Sequence, residues 1–122
     1  MAAQIVKDFN QLLEVLIQQV APMTGKNYHF LFKNLIKMNA MLPIQTFNEY
    51  AFEWKQQIEK RDDSFFLNDS VISGTTDNQE VITEIFQLRE VWTSLDDNSK
   101  NNLWEIVQAL LMLGEHYKQI KG

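Results

Sequence analysis

The sequence predicts an all-α protein, a single-domain irregular bundle of four or five helices spanning residues 1–122. Three observations carry that prediction. Apolar residues recur at three- and four-residue steps along most of the chain, as helices that bury one face require. Helix-breaking residues, notably Pro22, Gly25 and Pro43, fall between those stretches. No segment of useful length alternates polar and apolar residues as a half-buried strand does.

The first helix runs from about residue 3 to residue 20, with Ile5, Phe9, Leu12, Leu13, Leu16, Ile17 and Val20 on its apolar side. Pro22 and Gly25 end it. A second helix starts near Asn27 and presents Tyr28, Leu31, Phe32, Leu35, Ile36, Met38 and Leu42 to the core, with Lys33, Asn34 and Lys37 towards water. Pro43 suits the first turn of a third helix, where a missing N–H has no partner to lose. Its seam is Ile44, Phe47, Tyr50, Ala51, Trp54 and Ile58.

Residues 61–78, rich in Asp, Asn, Ser, Thr and Gly, read as a long loop, since short polar side chains compete for backbone hydrogen bonds. Asp77 with Glu80 forms a capping-box pattern opening a fourth helix over about 78–93. Its stripe is Val81, Ile85, Leu88, Trp92 and Leu95, widened by Ile82 and Phe86. Ser94 is placed to cap a fifth helix antiparallel to the fourth, with Asp96 and Asp97 in its first turn. Between Leu103 and Leu113 only Glu105 and Gln108 are polar, so this helix is either central to the bundle or buries a second face against another chain. Gly114 marks a close helix crossing or the start of fraying.

Composition and charge narrow the function classes. The 122 residues are 45% hydrophobic and 22% charged, as in soluble globular proteins, and this length supports one core. Absence of cysteine excludes disulfides, thiolate metal sites and cysteine nucleophiles. A net charge of −5 repels a phosphate backbone over most of the surface. The first forty residues are the exception, with four lysines against two acids. No apolar run approaches the roughly 20 residues of a membrane span, so no membrane association is expected. The opening segment reads as an amphipathic helix and not as a signal peptide, which makes the expected location intracellular and the Asn68-Asp69-Ser70 sequon fortuitous.

No motif of catalysis emerges. Four scattered glycines form neither phosphate-binding loop. His29 and His116 lack partners at metal-ligand spacing, and the serines sit in turn or cap contexts without a nucleophile elbow. Neither cofactor nor metal is expected. Asp62-Asp63 with Asn68 and Asp69 is the one acidic grouping that could hold a divalent ion, and Asp96-Asp97 is explained by capping. Lys26, Lys33 and Lys37 are the residues a nucleic-acid partner would use, against the overall charge.

Phe65-Phe66-Leu67 is the most unusual local feature, three large apolar residues inside a loop. They either fold back as a plug over the end of the core or stand out as an anchor for a partner. Trp104, like Trp54 and Trp92, poses the same choice from a helical seam. Phe65, Phe66, Leu67 and Trp104 are therefore the candidate partner-binding residues.

Two stretches, Arg61 to Asn68 and Leu88 to Leu113, resemble small α-helical proteins of large nucleocytoplasmic DNA viruses. In that pattern an acidic turn with paired Phe precedes a Leu/Trp helix, a polar connection and a helix opening that corresponds here to Lys100, Leu103 and Trp104. The resemblance implies a source, in a host cytoplasm, nucleus or virion, and no activity. The function expected is a non-enzymatic protein–protein interaction or oligomeric accessory role. The alternatives are a nucleic-acid-associated helical protein and a metal-dependent enzyme built on the acidic loop.

Overall fold

A computed structural model describes residues 2–25, 27–68 and 77–121, with backbone alone at 77, 78 and 121. The architecture is the expected all-α bundle, with no strand among the described residues. Its elements are α1 (Ala2–Thr24), α2 (Tyr28–Met38), α3 (Leu42–Lys60), the single turn α4 (Ser64–Leu67), α5 (Asp77–Glu84), a 3₁₀ turn (Trp92–Ser94) and α6 (Asp97–Lys121). The long helices α1, α3 and α6 form the framework, α6 lying against both others, while α5 covers α3 and α2.

α1 buries Val6, Phe9, Leu13, Leu16, Ile17 and Val20 on one stripe. It continues through Pro22, whose φ suits a helix and whose missing N–H forfeits a single bond near the end. The stop comes at Gly25, where φ is +71° and the amide donates to the Ala21 carbonyl at 2.9 Å. α2 ends at Met38, four residues short of the expected boundary. Asn39 is extended there, and its side-chain oxygen accepts from the Met41 amide at 3.1 Å, a turn that outcompetes a further helical bond. Leu31 and Met38, expected in the core, are exposed; Tyr28, Phe32 and Leu35 are the buried residues of the helix, with Ile36 partly buried against the core.

Pro43 sits in the first turn of α3 as expected. The helix ends on Arg61, which adopts φ 54° while the Asp62 amide reaches back to the Gln57 carbonyl at 2.8 Å. A left-handed conformation costs a residue with a side chain about 1–2 kcal/mol. Offsetting this, the Arg61 guanidinium donates to Asn101 (2.6 Å) and Gln108 (3.2 Å) on α6, clipping the end of α3 to that helix.

The expected fourth helix is cut short. α5 stops at Glu84: the Phe86 and Gln87 amides donate only three residues back, to Thr83 and Glu84, and the Leu88 amide then donates to the Phe66 carbonyl at 2.9 Å as the chain turns towards Trp92. Hence α5 packs chiefly on α3 and α2, not as an antiparallel mate of the last helix. The cap of α6 also differs from expectation: Asp96, not Ser94, accepts the Ser99 amide, at 2.7 Å. That bond to the charged form holds the Asp96 carboxyl below the usual carboxylate range. The side chain of Asp77, half of the capping box, lies outside the described residues.

Gly114 marks a close crossing. A Cβ there would collide with Oδ1 of Asn48, whose Nδ2 donates to the Gly114 carbonyl at 3.1 Å. α3 and α6 approach this closely because position 114 has no side chain.

Candidate functional site

The end of the bundle that carries the Phe65 segment is built from the loop upward. The Asp62 carboxylate accepts the Ser64 amide at 3.0 Å and starts the α4 turn, which swings Phe65 and Phe66 inward. The same bond lowers the Asp62 pKa. Phe66 stacks on Trp92 with ring centres 4.3 Å apart and meets Trp104 edge-on at 4.7 Å. Phe65 touches Phe66 (5.1 Å), Tyr50 (5.7 Å) and Phe86 (6.0 Å), and the chain of rings continues through Phe47 to Phe9. Such arrangements combine area burial with favourable ring–ring geometry. Burial also raises the Tyr50 pKa, against hydrogen bonds with Asn68 and Gln87.

Of the four candidate partner-binding residues, Phe65, Phe66 and Trp104 are therefore buried in their own chain. Their aromatic faces meet one another, and no surface of theirs is left for an occupant. Leu67, 37% exposed, is the one that reaches solvent. Trp92 is buried as well, and Trp54 is partly so.

The acidic loop is not assembled as a metal site among the described residues, where no group of three His, Asp or Glu side chains comes together. Asp62 is engaged with the Ser64 amide, and Asp69 lies outside the described residues. His29 pairs with Glu14 across α1 and α2 at 2.9 Å, and His116 is exposed on α6. Lys26 lies outside the described residues, while Lys33 and Lys37 are exposed on α2.

Three surface features stand out among the described residues, apart from Met112 and Ile120, which are exposed on α6. A polar cleft of about 460 Å³ opens between the end of α1 and the turn after α5, with Tyr28, Glu84 and Arg89 among its walls. Between α3 and α6 runs a shallow apolar groove of about 350 Å³ floored by Ala51, Leu111 and Gly114. Its rim holds Phe52, 72% exposed beneath the Lys118 ammonium at 5.2 Å, and the Lys55–Glu115 ion pair at 3.5 Å. The third feature is the outer face of α2. Phe30 is 60% exposed, Met38 72% and Leu31 43%. Lys33, Asn34 and Lys37 stand among them.

Sequence reasoning missed Phe30 and Phe52 because each falls on the polar side of its helix. The signal was there: a large aromatic residue outside its own helix's apolar stripe has no place in the monomer's core.

Fold and surface together define a small all-α bundle closed on an aromatic core, with large apolar side chains left on the outside of α2 and on α3. Among known sequences, the chain is similar to an uncharacterised protein of Acanthamoeba polyphaga mimivirus, with 27% identity over 126 aligned residues. These cover 93% of this chain and 70% of the relative. The resemblance to viral proteins, read from two stretches, thus extends over nearly the whole sequence. No family model matches the chain, and no solved structure does. No helix among the described residues is long and apolar enough to cross a membrane.

Proposed function

We propose that this is a non-enzymatic interaction protein of viral origin, acting inside the infected cell or in the virion by docking another protein on the outer face of α2. The observation that carries this reading is the exposure of Phe30, Leu31 and Met38 on a helix whose opposite side is anchored by Tyr28, Phe32 and Leu35. Folding does not need these side chains, since the core closes without them. Large apolar residues grouped on a surface and interleaved with polar ones are typical of binding faces. An amphipathic partner helix covers such an apolar surface with its own residues at i, i+3, i+4 and i+7.

A random-peptide display library panned against the folded chain tests the proposal. Peptides enriched on the wild type should lose binding to a Phe30→Ser, Met38→Ser double variant that melts as the wild type does. Enriched peptides that bind both proteins equally would place the binding face elsewhere, and a library that yields no specific binder would remove the proposal.

A further inference from the structure

The charges on the α2 face specify the chemistry of what covers it. Residues 28–38 contain no acid in a protein of net charge −5. On the exposed side Phe30, Leu31, Lys33, Asn34, Lys37 and Met38 follow one another at helical spacing, so both lysines flank the apolar strip. Lys33 and Lys37 stand four residues apart on one surface, where like charges disfavour each other. Neither has an ion-pair partner among the described residues. On α1, Glu14 is paired with His29 at 2.9 Å, and Glu84 lies in the polar cleft beside Tyr28 at the start of the helix.

Resting on the docking reading above, we infer that the occupant of this face is an acidic amphipathic helix of a partner protein. Its apolar residues cover Phe30, Leu31 and Met38, and its carboxylates meet Lys33 and Lys37. Complementary charge supplies orientation and selects against basic partners. A nucleic acid fits less well, since two lysines give a small electrostatic footprint and aliphatic Leu31 and Met38 have no counterpart on a phosphate backbone. An anionic bilayer would attract the same two lysines but repel the acidic remainder of the molecule.

The test is direct binding of the full chain to two synthetic helical peptides sharing one leucine stripe, one flanked by glutamates and the other by lysines. A duplex oligonucleotide and phosphatidylserine vesicles serve as the remaining probes. The wild type should bind the glutamate peptide in preference to the other three probes. A Lys33→Glu, Lys37→Glu variant should weaken that binding by about tenfold or more and gain the lysine peptide, with its melting curve unchanged. Equal affinity of wild type and charge variant for the glutamate peptide, lost only on Phe30→Ser with Met38→Ser, would overturn the charge inference and leave the docking reading standing. Failure to bind either peptide, or tighter binding to the duplex or the vesicles, would overturn the inference outright.

Discussion

Truncating Phe66 to alanine separates a core plug from a surface anchor. The side chain is fully buried and touches Phe65, Trp92 and Trp104 with ring centres 5.1, 4.3 and 4.7 Å away. Core Phe→Ala changes cost about 3–5 kcal/mol, because the lost transfer energy is joined by a cavity that neighbours fill only in part. Loss of three aromatic contacts, each worth about 0.5–1.5 kcal/mol beyond area, puts this site towards the upper end of that range. A domain of this size has roughly 5–15 kcal/mol in total, so Phe66→Ala should forfeit a third or more of it and lower the melting temperature by about 10–20 °C. Urea denaturation followed by far-ultraviolet circular dichroism measures the loss, and near-ultraviolet dichroism reports the Trp92 environment. A surface anchor behaves differently, with a stability change within about 0.5 kcal/mol. A measured cost below about 1 kcal/mol would refute the burial argument.

Other consequences follow from single contacts. Gly114→Ala should destabilise by about 1 kcal/mol, because the new methyl displaces Asn48 and its 3.1 Å bond to the Gly114 carbonyl. In an Asn48→Ala background the same change should instead stabilise by about 0.5–1 kcal/mol through helix propensity, a sign reversal that a double-mutant cycle reads directly. Arg61→Gly should be more stable than Arg61→Ala by about 1 kcal/mol, since both lose the clip to Asn101 and Gln108 but only glycine relieves the left-handed backbone. The capped carboxyls of Asp62 and Asp96 titrate below their unfolded values, so their contribution is present at neutral pH and is lost as pH falls below about 4. Asp96→Ala should therefore flatten the acid limb of stability against pH. Tyr50 is shifted the other way: its contribution is intact below about pH 10 and declines as pH rises further, and Tyr50→Phe should remove that alkaline limb.

How much of this was legible in the sequence depends on the length of each element. α1, α3 and α6 carry periodic stripes over several turns, and one geometry buries most of their apolar residues, with Val15, Phe52, Met112 and Ile120 left outside. α2 is eleven residues long with apolar side chains at 28, 30, 31, 32, 35, 36 and 38, which spread over too much of its circumference to say which part faces inward. Only the position of α2 on its neighbours selects Tyr28, Phe32 and Leu35. The early end of α5 is not legible because the bond that ties the chain down just after it, from the Leu88 amide to the Phe66 carbonyl, joins residues far apart in sequence and forms only in the folded chain. The Phe65–Leu67 segment announced itself as needing cover, yet the choice between plug and anchor required Trp92 and Trp104 to be brought beside it. Gly114 was readable as a close crossing, though its partner, Asn48, was not.

On the docking proposal, the apolar surface open to a partner lies on the outside of α2 and not in the aromatic cluster. Amide hydrogen exchange of the full chain, compared with and without the glutamate-flanked peptide, tests it most directly. Slowed exchange confined to α2 and the turn to Met41, with α4 and the start of α6 unaltered, is the predicted result. Protection appearing instead at Phe65–Leu67 and Trp104, with α2 unchanged, would contradict it.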